Sequence, residues 1–193
     1  MAVQSSFKNM TVCLFAICLV CSALLAGVYA LTKEPIDAAA KAKNEAAIKE
    51  VLPETASAIE EERTVEMDGV AYTYNLAYDA SGNTVGCAIN VSTLGFGGPI
   101  AIKVGFDMNG VICNTKVLSQ AETPGLGAKC VEPSFSGQFK GFDPAEKKLS
   151  VKKDGGDVDA ITASTITSRA YADGLATAVK VFQTLGQTPM PLN

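Results

Sequence analysis

The sequence predicts an α+β protein, with a single N-terminal transmembrane helix, an antiparallel sheet and a closing C-terminal helix. Three observations predict it. Asn9 to Thr32 is an uncharged run of 24 residues, longer than the ~20 apolar residues needed to cross a bilayer. Residues 65–118 switch to period-two alternation, the pattern of half-buried strands. From about Thr165 to Leu185, apolar residues recur at helical spacing on a wide face, as in a well-buried helix.

The uncharged run explains much of the 48% hydrophobic content and the mean hydropathy of +0.21. It outruns the apolar core of a signal peptide, about 7–15 residues. A retained anchor is therefore expected over a cleaved leader, although Val28-Tyr29-Ala30 has the small-residue ending of a cleavage site. Val20 before Cys21 argues against a lipid-attachment cysteine. Lys8 is the only charged residue ahead of Lys33. A short tail inside and a large domain outside is the expected orientation, because long domains cross membranes largely regardless of charge. The expected divisions are 1–32 for tail and transmembrane helix, 33–62 for a helical connector, and 63–193 for the folded domain.

Within the connector, Ala39, Ala42, Ala46, Ala47, Ile48 and Val51 predict a helix over 36–51, ended by Pro53. Four strands follow: Val70–Leu76, Val85–Val91, Ile100–Phe106 and Val111–Leu118. Asp79-Ala80-Ser81-Gly82-Asn83 and Asp107-Met108-Asn109-Gly110 are the turns between them. Residues 131–142, with Phe135, Phe139 and Phe142, read as a short helix or loop. Leu149–Val151 reads as a short strand and Lys152–Gly156 as a turn. In the last helix one row is Ile166, Ala170, Gly174, Ala178 and Val181; the other is Tyr171, Leu175, Val179 and Phe182. Gly186 to Asn193, with Pro189 and Pro191, reads as a tail.

Composition excludes several classes of function. A net charge of −4 argues against nucleic-acid binding, which needs a basic stripe. There is no histidine, so His-based acid–base catalysis, Ser-His-Asp chemistry and His-ligated metals are absent from this chain. No catalytic residue and no metal ligand set is expected. Any redox chemistry must come from a cofactor. Cys13, Cys18 and Cys21 lie in the apolar run; Cys87, Cys113 and Cys130 lie beyond it, without Cys-x-x-Cys spacing, and read as small buried hydrophobes. No glycine-rich dinucleotide fingerprint and no iron–sulfur framework is present, so NAD and ferredoxin are not expected to bind this chain.

The richest segment is Asp159-Ala160-Ile161-Thr162-Ala163-Ser164-Thr165-Ile166-Thr167-Ser168. Hydroxyls at a helix start are usually caps, with Thr162 or Ser164 accepting from the first free N–H groups. The same place also suits a phosphate, because free N–H groups and the positive dipole end face outward. Two glycine-rich loops stand upstream: Gly95-Phe96-Gly97-Gly98-Pro99 and Glu122-Thr123-Pro124-Gly125-Leu126-Gly127. Either loop alone is ordinary turn chemistry.

Taken in order, the three segments resemble those of the FMN-binding domain in the G subunit of Rnf complexes and in the C subunit of sodium-pumping NADH:quinone oxidoreductases. The decapeptide resembles that family's Asp-x-x-(Ser/Thr)-Gly-Ala-Thr signature, with Ala163 where Gly is usual and Ser164 where Ala is usual. The resemblance spans essentially the whole chain, and its length is closer to the G subunit. It implies covalent FMN, linked through its phosphate to Thr165, with Thr162, Ser164 and Thr167 as neighbouring alternatives. It further implies flavin contacts at Gly95, Phe96, Gly97, Gly98, Glu122, Thr123, Gly125, Leu126 and Gly127. Glycines permit close backbone approach, and Phe96 and Leu126 offer apolar contact. Asp159 would belong to the pattern read by the flavin transferase that installs FMN from FAD. The implied function is an electron-carrier subunit of an ion-translocating ferredoxin:NAD⁺ oxidoreductase in the cytoplasmic membrane. Its partners would be the other subunits of that complex, with the flavin domain on the extracytoplasmic side. The C subunit of a quinone oxidoreductase, a membrane-anchored binding or assembly protein without cofactor, and a free-standing flavoprotein reductase are the other readings.

Overall fold

The computed structural model describes residues 7–187; the extreme N-terminal tail and the Pro189–Pro191 segment lie outside the described residues. The chain forms two compact units, residues 1–43 and 44–193. The first is the greater part of one continuous helix, α1 (Phe7–Val51), 45 residues long. The sequence predicts a separate connector helix at 36–51. Instead the Ala-, Lys- and Glu-rich stretch, all good helix formers, extends the apolar helix through Pro35 without a break. Apolar side chains from Phe7 to Ile36 point outward with no protein cover. The helix is long and apolar enough to span a bilayer.

The second unit begins with the last turns of α1 and is built on one antiparallel sheet. Its strands are β1 (Ala58–Ile59), β2 (Arg63–Met67), β3 (Val70–Tyr78), β4 (Thr84–Leu94), β5 (Pro99–Asp107) and β6 (Ile112–Ser119). β3, β4, β5 and β6 pair in chain order, while β1 and β2 share the outer edge of β3. The four long strands are those expected; β1 and β2 are short edge pieces with little apolar alternation to reveal them. Both expected turns are closed by their aspartates. Asp79 Oδ1 accepts the N–H groups of Ser81 and Asn83 at 2.7 and 2.9 Å. Asp107 Oδ1 accepts those of Asn109 and Val111, both at 2.9 Å.

One face of the sheet presents Leu76, Cys87, Ile89, Val91, Ile100, Ile102, Val104 and Phe106 to α3 (Thr165–Gln187). Ala170, Tyr171, Leu175, Ala178 and Val181 complete this core. Between β6 and α3 the chain makes a 3₁₀ turn (Gly127–Val131), the short α2 (Pro133–Ser136) and a second 3₁₀ turn (Gly137–Phe139). They carry Phe135 and Phe139 onto Tyr171, with ring centroids 5.2 and 5.1 Å away. The expected strand at 149–151 reduces to an isolated bridge between Val151 and Val158, followed by a 3₁₀ turn (Lys152–Asp154).

The other face receives the end of α1. Ile48, Val51 and Leu52 pack on Ala77 and Ala88. Gly105 permits this, because a Cβ there would overlap the Val51 carbonyl. Asn114 and Lys116 on β6 fasten Glu50, through its carbonyl at 3.1 Å and its carboxylate at 2.8 Å. Burial pushes the thiols of Cys87 up to about 12 and of Cys113 and Cys130 to about 11. They are therefore neutral thiols at physiological pH.

On this second face Lys103 is fully buried, with its Nζ 3.3 Å from Asn75 Oδ1. Desolvation holds its ammonium down at about 8, against a smaller opposing pull from Glu62. A lysine with a lowered native pKa destabilises the fold while it is charged in both states. That cost is full below pH 8 and disappears as pH rises toward the unfolded value near 10.5. Lys103→Met is expected to stabilise the detergent-solubilised full chain by on the order of 2 kcal/mol at pH 7. The gain should shrink between pH 8 and 10.5, as measured by denaturant unfolding at a series of pH values.

Candidate functional site

A cleft of about 430 Å³ opens where the two glycine-rich loops meet the start of α3. Its lining is Phe96 from the first loop, Glu122, Thr123, Leu126 and Gly127 from the second, and Ala163 to Thr167. Three segments far apart in sequence thus converge on one place.

The organising group is the Glu122 carboxylate. It is 5% exposed and accepts hydrogen bonds from two different elements. Oε1 takes the Gly97 N–H at 2.9 Å; Oε2 takes the Thr167 hydroxyl at 2.5 Å. Its own N–H donates to Gln120 Oε1 at 2.6 Å. Three of the glycines have their reason here. A Cβ on Gly95 or Gly127 would strike the Glu122 carboxylate, and one on Gly97 would strike the Ala121 carbonyl. Their lack of a side chain makes room for protein rather than for a ligand. Of the first loop, only Phe96 lines the cleft.

The hydroxyl cluster is divided by the fold. Ser164 N–H bonds Ile161 O at 3.0 Å, closing a turn with Ala163 at φ +59°. α3 begins at Thr165, and its first helical bond runs from Ser168 N–H to Ser164 O at 3.1 Å. The N–H groups of Thr165, Ile166 and Thr167 precede that bond and have no helical acceptor. Thr167 is buried and committed to Glu122. Ser168 is buried and used twice: its Oγ accepts Ile161 N–H at 2.9 Å and donates to Ser164 O at 3.0 Å. Thr162 is exposed and faces a second, smaller pocket with Lys129, Gln138 and Asp159. Thr165 and Ser164 remain in the cleft, and no hydrogen bond engages either hydroxyl among the described residues.

Around them the walls are apolar. Phe96 is 71% exposed, Ile166 53% and Leu126 43%. Ile166, assigned to the buried face by periodicity, instead points outward at the cleft mouth. Asp159 is paired with Lys152 at 2.7 Å, outside the cleft. Arg169, in the first turns of α3, holds Asp154 through two bonds of 2.6 and 2.8 Å. This keeps the Asp154 carboxyl below the usual range. Gly98 and Gly125 take positive φ, +153° and +78°, and shape their loops without lining the cleft. Gln138 and Arg169 carry no signal in the sequence. Their partners lie 21 and 15 residues away, beyond the reach of a local motif.

This cleft fits a flat amphiphile with an anionic end. Its volume lies in the ~300–1,000 Å³ range of small-molecule sites. Apolar side chains stand on its rim, and free N–H groups with the positive helix end lie at its base, where a phosphate is favoured.

Two stability tests follow from this geometry. Glu122→Ala leaves the Gly97 N–H and the Thr167 hydroxyl unpaired and should cost roughly 3 kcal/mol in denaturant unfolding; Glu122→Gln, which keeps an acceptor, should cost about 1 kcal/mol. Ala163→Gly should stabilise by about 1 kcal/mol, because glycine takes φ +59° without a Cβ penalty.

Two stretches of the chain match known families. Residues 95–180 match the FMN-binding domain, and residues 1–51 match the RnfG N-terminal region. The G subunit of the ion-translocating oxidoreductase complex of Methanosarcina acetivorans is 34% identical over 183 residues, covering 93% of this chain and 96% of the relative. The corresponding protein of Haemophilus influenzae is 34% identical over 170 residues, 81% of each chain. The G subunit of the Na⁺-translocating ferredoxin:NAD⁺ oxidoreductase complex of Acetobacterium woodii is 34% identical over 113 residues, 56% of this chain and 54% of the relative. Among solved structures, the C subunit of the Na⁺-translocating NADH-quinone reductase of Parabacteroides distasonis aligns with a TM-score of 0.49 and 24% identity, over 65% of this chain and 76% of that one. With a helix of membrane-spanning length, an FMN-binding domain and a relative matched nearly end to end, the chain belongs to the family of G subunits of ion-translocating oxidoreductase complexes.

Proposed function

We propose that this chain carries FMN covalently, as a phosphoester on Thr165, and relays electrons within an Rnf-type ferredoxin:NAD⁺ oxidoreductase. The observation that carries the reading is the sorting of the hydroxyls. Thr167 and Ser168 are consumed by hydrogen bonds and Thr162 faces away, while Thr165 stands in the cleft at the first position of α3. Ser164 shares the cleft but is 8% exposed, so Thr165, only half buried, is the more accessible alcohol.

In this reading the free N–H groups of the first α3 turn receive the phosphate, while Phe96, Leu126 and Ile166 cover the ring system. Glu122 lines the cleft with both carboxylate oxygens already bonded, and it fixes the loop carrying Phe96 against α3. Bound FMN supplies a carrier that accepts and returns electrons singly or in pairs. Among the described residues no carboxylate of this chain is hydrogen-bonded to Thr165, so a separate flavin transferase would supply the base. The Thr165 oxygen would bond the FMN phosphorus of FAD, the pyrophosphate bond would break, and AMP would leave. The α1 helix would anchor the domain in the cytoplasmic membrane beside the other subunits, with the flavin on the extracytoplasmic side. A covalent link there prevents loss of a cofactor that free diffusion would not replace.

The test is in-gel flavin fluorescence of the denatured native protein, followed by peptide mass mapping. A fluorescent band with an FMN-phosphoryl mass on Thr165 is expected, and Thr165→Val should abolish it while leaving the melting transition in place. Flavin retained by that variant would move the attachment to Ser164 or Thr162. A dark band from the native organism would favour a membrane-anchored protein without cofactor.

A further inference from the structure

The signature segment is held at its two ends by different elements, and only one of them belongs to the signature. Asp159 to Ser164 lies outside helix and strand. At its C-terminal end it is tied into α3 by Ser168 and by the Ser164 turn. At its N-terminal end the main chain of Asp159 is gripped by one side chain, Gln138. Gln138 Oε1 accepts the Asp159 N–H at 2.7 Å, and Nε2 donates to Asp159 O at 3.1 Å. Nε2 also donates to Phe135 O at 3.0 Å, which fixes the amide in its plane. Two bonds to both main-chain groups of one residue are what a neighbouring strand would provide. No strand runs beside Asp159 among the described residues; the amide takes its place. Gln138 itself is rigidly mounted, because the adjacent Phe139 is fully buried and stacked on Tyr171.

We propose that Gln138 is a positioning residue for modification: it presents the Asp159 end of the segment, preordered, to the enzyme that transfers the flavin. The inference rests on the reading that Thr165 is the flavinylated residue. Without Gln138, the Asp159 main chain loses both of its hydrogen bonds and is held only through its neighbour Val158, which is buried and bonded to Ser150 and Lys152, while its side chain keeps the solvent-exposed pair with Lys152. Thr165 keeps its place, because α3, Ser168 and the Thr167–Glu122 bond do not pass through Gln138. The loss therefore falls on docking and not on the attacking alcohol. The enzyme would have to order a loose end before it could engage the segment.

The experiment uses the full chain in detergent, produced without modification, with purified flavin transferase, FAD and Mg²⁺. Initial rates of flavin incorporation are measured against chain concentration for the wild type, Gln138→Met and Gln138→Glu. The Met variant removes all three bonds; the Glu variant keeps size and acceptor but loses both N–H donors. Both should raise the half-saturating concentration, the Met variant about tenfold, with the maximal rate changed less than about twofold. Hydrogen exchange at the Asp159 amide should accelerate at least about tenfold in Gln138→Met, with the Ser168 amide unchanged. An unaltered half-saturating concentration, or a loss confined to the maximal rate, overturns the proposal. If the Met variant does not melt cooperatively, the Glu variant decides by the same criterion. A wild-type chain that takes no flavin, or takes it away from Thr165, removes the functional reading and this inference with it. A flavinylated wild type beside an insensitive pair of variants removes the inference alone.

Discussion

One buried carboxylate holds the cleft together. Among the described residues Glu122 has no ion-pair partner; it is satisfied by a main-chain N–H from one loop and a hydroxyl from the last helix. A buried carboxylate is tolerable only while both acceptors are used, so the position of Gly97 and that of Thr167 are fixed to each other. Small residues follow as a consequence. Gly95, Gly97 and Gly127 are where a Cβ would collide with Glu122 or with the Ala121 main chain. The apolar rim of Phe96, Leu126 and Ile166 then stands at a set width around the first turn of α3.

The sheet supplies the floor on which this arrangement rests. Its two faces are used differently. One carries branched and aromatic residues to the buried side of α3, and the aromatic cluster at Tyr171 extends that core under the segment that follows β6. The other is pared down to Ala77, Ala88 and Gly105 so that the end of α1 can lie against it. Beside that contact lies Lys103, a charge whose burial works against stability. The last turn of α1 and the core of α3 therefore use different surfaces of the sheet, one shaped by small residues and the other by large ones.

Chemically the site is passive. Its hydroxyls are sorted by hydrogen bonding rather than activated by a base; the carboxylate that lines it, Glu122, is taken up by Thr167, and Asp159 and Asp154 outside it are paired with Lys152 and Arg169. That is the character of a holder for a redox group, in keeping with membership of an oxidoreductase complex. Binding and orientation of the group fall to an FMN-binding domain such as this one, and electron chemistry falls to the group.

By itself the sequence determined the elements whose signals are local. The uncharged run marked the membrane-length helix, the alternation marked β3 to β6, Asp79 and Asp107 marked their turns, and the spacing after Thr165 marked α3. The three glycine- and hydroxyl-rich segments were legible as a set, because their order resembles that of a known domain. Tertiary structure alone decided which neighbours engage those residues. Periodicity could not reveal that Ile166 leaves the core for the cleft mouth, since one helical face can pass from buried to open along its length. Local composition could not distinguish Thr165 from Thr167, because the difference is a carboxylate 45 residues upstream. Nor could it find Gln138, whose amide stands in for a strand partner that Asp159 lacks. Secondary structure depends on neighbours in sequence; the assignment of each hydroxyl, glycine and carboxylate depends on neighbours in space, and only folding brings those together.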